Sequence, residues 1–350
     1  MKSFKRCILH IGTAKTGTTT LQASFAANRA RLAEHGILYP QSPGETNHTK
    51  LAAYATDAGR MTPQKRFALL RFGGNVDAFR RDLEEKMAAE FEGASQDTLL
   101  FSNEHLQLHL ASQAEKQRLR QLLDRWCEDY RVVVYLRRQD KAAVSLYSSR
   151  LKAGETDFDQ VLPKIGRRLP AFYDYRKLLE EYGAVFGMDR LEPAIFEPDA
   201  LKDGDIVADF YARLGIADLS GFKTVTPANE SLNVEAQAFL ASFNRFVPRF
   251  VAGIPVPGRA SLINALGRDF TGPGRTVSRA EAEGFYARFA DDNAWIRETF
   301  FNPRNTLFDE DFSAYPEHAA YELARGNTLK VGASLARRVL SNAIGRPTGS

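Results

Sequence analysis

Short, strongly apolar runs recur along this chain, separated by segments in which apolar residues fall at helical spacing. The clearest run, residues 131–136, is almost continuously apolar, as expected of a strand covered on both faces of a parallel sheet. Further strands are predicted at 6–12, 97–102 and 191–196. Because the strands alternate with helices, the pattern predicts an α/β fold, a P-loop-like, doubly wound parallel sheet flanked by helices.

Helices are predicted where an apolar stripe is combined with a capping signal. The first predicted helix begins after residue 17. The others cover 76–92, 112–128, 140–152, 170–182, 205–214, 234–246 and 278–301. In the first of these helices, the apolar face consists of Leu21, Phe25 and Leu32, and Gly36 is expected to end the helix. Capping boxes are expected at Ser112 with Glu115 and at Ser278 with Glu281, an N-cap at Asp140, and a start at Pro170.

Residues 36–75 are predicted to be rich in loops, and a second stretch rich in proline and glycine covers 248–275. Residues 326–350 carry basic but no acidic side chains and are expected to form a weakly ordered tail. We therefore expect one large domain over 1–312, with a nucleotide-binding half at about 1–215. A helical C-terminal extension with the basic tail follows at 313–350.

Composition narrows the class of protein. The 350 residues are 44% apolar and 26% charged, as in ordinary globular proteins. The net charge of +4 is too small to indicate nucleic-acid binding, but it suits an anionic cofactor or substrate. Two cysteines imply no disulfide framework and favour a reducing cytoplasm. No apolar run reaches the ~18 residues of a membrane span, and the start does not resemble a signal peptide.

The segment from Ile8 to Gln22 carries the candidate chemistry. An apolar strand enters a glycine-containing turn and then a helix, the arrangement that presents backbone N–H groups to a phosphate. Gly12 and Gly17 have the spacing of a P-loop, but Thr18 stands where that motif has its lysine. The lysine is instead Lys15, inside the loop, where it would meet a bridging oxygen rather than a terminal phosphate.

Residues 12–22 read G-x-x-K-x-G-T-T-x-L-Q, which resembles the 5′-phosphosulfate loop of sulfotransferases that use 3′-phosphoadenosine 5′-phosphosulfate (PAPS). The likeness is nearest to the glycan-sulfating branch and its bacterial relatives. It implies cofactor contacts from Lys15 and from residues 16–20, namely Thr16, Gly17, Thr18, Thr19 and Thr20. It also favours a soluble, cytoplasmic bacterial-type enzyme, because Golgi members of the family carry a membrane anchor.

A PAPS enzyme must also recognise the 3′-phosphate, for which arginine and a hydroxyl are suited. Arg137 ends the best predicted strand, and Ser145 follows on the next helix, off its apolar stripe. This spacing also resembles the family's 3′-phosphate motif. Many relatives have Asn-Pro or Asp-Pro after the arginine, whereas this chain has Arg138 and Gln139, which leaves open whether Arg138 helps. A surface ion pair is the alternative for Arg137.

Later segments extend the resemblance over roughly 6–235, and more loosely to about 312. These are 204–215 and Asn229-Glu230-Ser231-Leu232-Asn233. Residues 229–231 would either close over the nucleotide or simply form the turn before the next helix.

The resemblance implies transfer of a sulfuryl group to a hydroxyl or amine, with a carbohydrate or glycoconjugate as the expected acceptor and adenosine 3′,5′-bisphosphate as the product. No metal is expected, since a sulfuryl group carries less negative charge than a γ-phosphoryl group. Glu104 is the first candidate for the general base, because the segment 102–105 resembles the family's Ser-Ser-Glu. His105 is its rival, and a helix-end charge is the alternative for Glu104.

The acceptor side is less specified. Residues 36–75 and 230–312 are expected to form it, with His48 as a candidate contact unless it is an ordinary surface histidine. The stretch 248–275 and the basic tail together suggest peripheral membrane contact. The oligomeric state is not indicated. Two other functions stay open: a P-loop kinase or NTPase, and a non-catalytic glycan-binding protein on the same fold.

Overall fold

The computed structural model describes residues 3–157, 159–164, 166, 170–225, 231–251 and 254–319. The chain divides into two compact units, each assembled from three segments. The first comprises Met1–Arg138, Ile165–Pro227 and Phe289–Glu310, and the second Gln139–Lys164, Ala228–Arg288 and Asp311–Ser350. The predicted tail and residues 229–230 lie outside the described residues, and the predicted boundary at 312 stays a prediction.

A five-stranded parallel sheet forms the centre of the first unit. Its strands are β1 (Arg6–His10), β2 (Ile37–Leu38), β3 (Thr98–Ser102), β4 (Tyr130–Leu136) and β5 (Leu191–Ile195). They lie in the order β2-β3-β1-β4-β5, and every pairing between neighbours is parallel. The α/β class with a parallel sheet, predicted from the alternation of strands and helices, is confirmed.

Helices cover both faces of this sheet. The helices of the first unit are α1 (Thr18–Ala27), α2 (Arg29–Glu34), α3 (Thr49–Ala55), α4 (Pro63–Leu69), α5 (Val76–Glu92), α6 (His105–His109), α7 (Gln113–Leu123), α9 (Tyr175–Phe186), α10 (Ile206–Arg213) and α14 (Ala290–Phe300). On one face, Val133 packs in a cluster with Phe25 of α1 and Phe210 of α10. On the other face, the ring of Tyr130 lies 5.2 Å from that of Phe186 on α9. The sheet is therefore doubly wound.

The helix predicted to run from residue 18 through Leu32 is two helices, and that prediction was wrong. Asn28 separates them. Its amide nitrogen donates to the carbonyl of Ser24 at 2.9 Å, and its amide oxygen accepts from the Lys223 N–H at 2.7 Å. An asparagine side chain that hydrogen-bonds to nearby backbone competes with the hydrogen bonds of the helix. Here the bond to Lys223, in a distant segment, also holds the Asn28 side chain in place.

The stretch 36–75, predicted to be rich in loops, also contains α3, α4 and a 3₁₀ turn at Leu70–Phe72, which were not predicted. Pro63 does not prevent a helix here. It occupies the first turn of α4, where its missing N–H costs nothing, behind an N-cap at Thr62 whose hydroxyl accepts from the Lys65 N–H at 3.1 Å.

The second unit is helical around its own core. It contains α8 (Gln139–Ala153), α11 (Val234–Phe246), α12 (Arg259–Asp269), α13 (Arg279–Ala287) and a hairpin of β6 (Phe250–Val251) with β7 (Ile254–Pro255). Tyr147, Leu151, Leu240 and Leu266 belong to that core. The proline- and glycine-rich stretch 248–275 thus contains the hairpin and α12.

Several predicted helix ends move. The helix expected from Pro170 begins at Tyr175, and the helix expected over 278–301 is α13 and α14, which belong to different units. Asp140 is not an N-cap but lies inside α8, buried, accepting a hydrogen bond from the Tyr315 hydroxyl at 2.6 Å. Both predicted capping boxes, at 112–115 and 278–281, are present.

Candidate active site

Polar side chains follow three adjacent strands of the first unit, at the edge where β1, β3 and β4 end. From β1 the chain passes to β2 and β3 on one side and then to β4 and β5 on the other. In open α/β sheets, ligands bind at such a reversal, beyond the carboxyl ends of the strands. The loop after β1, Glu104 after β3 and Arg137 after β4 meet this condition.

The loop after β1 is fixed by two buried threonines. The Thr13 hydroxyl donates to the carbonyl of Tyr135 on β4 at 2.6 Å, and the Thr16 hydroxyl donates to the carbonyl of Thr13 at 2.7 Å. The loop is therefore anchored to the neighbouring strand. The Thr16 side chain serves this anchoring, so its contribution to a bound anion would come from its backbone N–H.

Two residues of the loop adopt the left-handed backbone region. Lys15 has φ 67° and Gly17 has φ 73°. Glycine takes this conformation freely, whereas a lysine there costs roughly 1–2 kcal/mol. Such strain persists where surrounding structure holds it and is common at ligand-binding loops. The lysine singled out by the sequence thus also marks the strained point of the loop.

The first turn of α1 suits an anion. Its residues are Thr18, Thr19 and Thr20, without an acidic side chain, so the N–H groups and the positive end of the helix dipole are not offset by a carboxylate. Thr18 is buried and Thr19 is exposed. A Cβ on Gly12 would lie 2.5 Å from the Thr18 Cγ2, so this turn approaches the loop only because residue 12 is glycine.

Arg137 reaches the loop from β4. Its Nη1 donates to the carbonyl of Lys15 at 2.7 Å, and its own carbonyl accepts from the Tyr175 hydroxyl at 2.9 Å. The neighbouring Arg138 is buried and donates to the carbonyl of Asp309 at 2.5 Å. Of the two arginines, Arg137 is thus the one directed to the loop, and Arg138 supports the core.

Ser145 lies on α8 in the second unit and is half-buried. Tyr147 and Leu151 of the same helix enter that unit's core, so Ser145 lies off the apolar stripe as predicted. A shared 3′-phosphate contact by Arg137 and Ser145 stays a prediction.

Glu104 is held by two amides. The Gln22 Nε2 donates to its Oε2 at 2.8 Å, and the Asn47 Nδ2 lies 3.1 and 3.0 Å from its two oxygens. A carboxylate offers about four lone-pair positions, so these bonds orient it without exhausting its capacity to accept. Glu104 therefore sits as an oriented acceptor at the end of β3.

His105 adjoins that carboxylate. Its Nε2 lies 3.7 Å from the Glu104 Oε1 and 3.4 Å from the Gln64 Nε2. Burial lowers the pKa of His105 below its usual value, although the charge of Glu104 opposes the shift. The ring stacks on His109 at 5.1 Å, and burial lowers the pKa of that residue to about 4. Both imidazoles are thus neutral at pH 7.

His48, the expected acceptor contact, lies in the core. Its backbone N–H donates to the Ser102 carbonyl at 3.2 Å, and its ring Nδ1 accepts from the Ser102 backbone N–H at 3.1 Å. Its ring Nε2 lies 2.9 Å from the Pro40 carbonyl oxygen. Strand β2 pairs only with Thr98 and Leu99, so the edge of β3 at Ser102 needs another partner. His48 supplies it, and this geometry corrects the acceptor role to a structural one.

His10 and the two cysteines are also core residues. His10 is buried, with its Nδ1 2.8 Å from the Ser102 hydroxyl oxygen, and burial lowers its pKa to about 3. Cys7 and Cys127 are buried.

Within the described ranges, no three His, Cys, Asp or Glu side chains are grouped to hold a metal ion. No helix in the same ranges is both long and apolar enough to span a membrane.

Sequence reasoning missed Gln22 and Asn47, the residues that orient Glu104. Gln22 carried a signal in the sequence, because it is a polar residue one position after Leu21 and three before Phe25, on the apolar side of the predicted helix. In the structure it is only 4% exposed. A buried amide needs a partner, so its position indicated a polar contact inside the fold. Asn47 lies in the turn before α3, and its local sequence carried no comparable signal.

Comparisons with known proteins add a distant likeness. No protein-family model matches the chain, and no curated protein matches its sequence. Among solved structures, a sulfotransferase from Alicyclobacillus acidocaldarius is similar at 18% identity and a TM-score of 0.37, over 62% of this chain and 82% of that one. We therefore derive the function from the chain's own residues.

Proposed function

We propose that this chain transfers a sulfuryl group from PAPS to a hydroxyl group, or an amine, of a carbohydrate or glycoconjugate. The observation that carries the proposal is the bond of Arg137 to the Lys15 carbonyl at 2.7 Å, between residues 122 positions apart. It brings a phosphate-loop lysine and a strand-end arginine to one edge of the sheet, as recognition of a nucleotide with two separate phosphate groups requires.

The residues fit the two ends of such a cofactor. The strained loop and the uncapped start of α1 suit the 5′-phosphosulfate, with Lys15, the N–H groups of 16–19 and the hydroxyls of Thr18 and Thr19 as donors. The fork of Arg137 suits the 3′-phosphate, with Ser145 as the proposed second donor. This second phosphate distinguishes PAPS from ATP.

PAPS, when bound, supplies the sulfuryl group and a phosphate leaving group on which negative charge develops. Lys15 and the start of α1 stabilise that charge, and losing one such donor typically costs ~10²–10³ in rate. Glu104 accepts the proton of the acceptor hydroxyl, held in place by Gln22 and Asn47. His105 is the rival base, because it lies beside Glu104 and is neutral at pH 7.

The kinase alternative is less well supported. A P-loop kinase needs lysine directly after Gly17, where this chain has Thr18, and an aspartate at a strand end to hold Mg²⁺. Strand β3 instead ends in Ser102, followed by Asn103.

Calorimetric titration with adenosine 3′,5′-bisphosphate, against ATP with Mg²⁺, tests the proposal. We expect metal-independent binding of the bisphosphate that Arg137→Ala weakens by roughly 10- to 100-fold, because charged hydrogen bonds are worth about 1.5–3 kcal/mol. The control is Arg6→Ala, an exposed arginine that begins β1 at the opposite edge of the sheet. Preference for ATP with Mg²⁺ would instead support a kinase, and binding of neither would support a non-catalytic role.

A further inference from the structure

The first unit contains an open cleft between the turn before α3 and helix α4. Its volume is about 500 Å³, within the range of ~300–1,000 Å³ typical of small-molecule sites. Its lining includes Asn47, Gln64, Phe67 and Leu70. We call this feature the α3–α4 cleft. Of these residues, Asn47 also has a role described above, because it orients Glu104.

Two lining residues connect the cleft to the candidate base. Asn47 donates to both oxygens of Glu104, at 3.1 and 3.0 Å. The Gln64 Nε2 lies 3.4 Å from the Nε2 of His105. A molecule in the cleft would therefore contact one neighbour of each candidate base, and a hydroxyl that extends past Asn47 would come within reach of Glu104.

The same two residues indicate that the polar part of a ligand would donate hydrogen bonds. The Asn47 Oδ1 and the Gln64 Oε1 are buried without a hydrogen-bond partner among the described residues. An unpaired buried amide oxygen is unfavourable, because it has lost its hydrogen bonds to water. Each oxygen is a hydrogen-bond acceptor that belongs to a residue lining the cleft. A hydroxyl-bearing compound offers the missing donors.

Part of the cleft lining is apolar and exposed. Phe67 and Leu70 are 76% and 69% exposed, among the largest exposures of any apolar side chain in the described ranges. They lie one helical turn apart and both line the cleft, beside Pro43 and Ala68. A bare, fully hydroxylated sugar would leave these side chains in water. An alkyl, acyl or aryl group would cover them, which is favourable because apolar surface is removed from water.

We propose that the α3–α4 cleft is the acceptor site and that the acceptor is amphiphilic. Its hydroxyl-bearing head lies at Asn47 and Gln64 beside Glu104, and its apolar body lies on Phe67 and Leu70. The acceptor role rests on the proposed function, whereas binding of an amphiphile does not. The acceptor is thus a glycoside with an apolar aglycone or acyl group rather than an unmodified sugar.

Paired ligands test this inference. Methyl and hexyl β-glycosides of glucose, galactose and N-acetylglucosamine, kept below micelle-forming concentrations, are titrated into the full chain by calorimetry. For at least one sugar we expect the hexyl glycoside to bind tenfold or more tightly than the methyl one, roughly what a few buried methylenes provide. The double variant Phe67→Ser/Leu70→Ser should lose that preference, and since both side chains are exposed it should still fold.

Phe246→Ser is the matched control, because Phe246 is 84% exposed but lies on α11 and not in the cleft. It should keep the preference. In addition, Gln64→Met should weaken methyl and hexyl glycosides by the same factor. Equal binding of the two ligands, binding of neither, or a preference that survives in the double variant would overturn the inference.

Titration of adenosine 3′,5′-bisphosphate into the same samples separates the two proposals. If the bisphosphate binds but no hexyl preference exists, the cleft assignment is wrong and sulfuryl transfer stands. If the hexyl preference depends on Phe67 and Leu70 while the bisphosphate does not bind, the cleft is an amphiphile site and the sulfotransferase proposal is wrong.

Discussion

The Nε2 of Gln22 lies 2.8 Å from the Oε2 of Glu104, across 82 positions of sequence. Gln22 stands in the second turn of α1, the helix that begins at the candidate phosphate loop. The carboxylate that we propose as the base is therefore oriented by the same helix whose first turn would hold the cofactor. A displacement of the loop would move the base with it.

Gln22→Met should lower kcat by about tenfold, because it removes a hydrogen bond to a charged group while keeping a similar shape. We expect KM and the affinity for adenosine 3′,5′-bisphosphate to stay within about twofold, since other groups hold the nucleotide. Steady-state kinetics with a sulfuryl acceptor measures the split. An unchanged kcat, or an equal loss in bisphosphate affinity, would show that Gln22 does not position Glu104.

Glu104→Gln should reduce turnover by ~10²–10⁴ if Glu104 is the general base, while bisphosphate binding is retained. His105→Asn should have the smaller effect, since in our proposal it only adjoins the carboxylate. Turnover and calorimetry on both variants decide between them. The reverse order of effects would move the proton-accepting role to His105.

Gly12→Ala should weaken bisphosphate binding by tenfold or more, because a methyl group there would lie 2.5 Å from the Thr18 Cγ2 and would displace the start of α1. Adding Thr18→Ser removes that Cγ2, so the double variant should recover much of the affinity. Gly93→Ala is the control, since a Cβ at that position meets no atom within 4 Å. A single variant with full affinity would argue against a tightly packed phosphate loop.

The buried histidines should make folding sensitive to acid. Burial lowers the pKa of His48 to about 3, below the ordinary value of 6.5, so between these values the unfolded chain binds a proton that the folded chain does not. The contribution of neutral His48 to the free energy of unfolding is complete above pH 6.5 and is lost as the pH falls toward 3. Between these values, the free energy of unfolding falls by about 1.4 kcal/mol per pH unit.

Urea unfolding at pH 7.5, 6.5 and 5.5 tests this dependence with His48→Gln, whose amide can accept from Ser102 and donate to Pro40 without titrating. The free energy of unfolding should fall less steeply with decreasing pH in this variant. His35→Gln, at an exposed histidine, serves as the control and should keep the wild-type slope. Identical slopes in all three proteins would contradict a buried, neutral His48.

Much of the local structure was predictable because it depends on near neighbours in sequence. The apolar run of β4, the helix over 76–92 and the capping box at Ser112 and Glu115 all appear as expected. Helix ends were less predictable. The break at Asn28 depends on Lys223, and the placement of Asp140 inside α8 accompanies its bond to Tyr315, so tertiary partners decided both.

The α/β class, the glycine spacing of the loop and the polar residues that follow β3 and β4 could all be predicted, because periodicity and turn chemistry are properties of short segments. Which polar groups meet depends on how distant segments pack. That packing brings Arg137 to the Lys15 carbonyl, holds Glu104 between Gln22 and Asn47, and lets His48 complete the edge of β3. These contacts follow from strand order: the neighbours of β1 are β3 and β4, and no local pattern encodes that order.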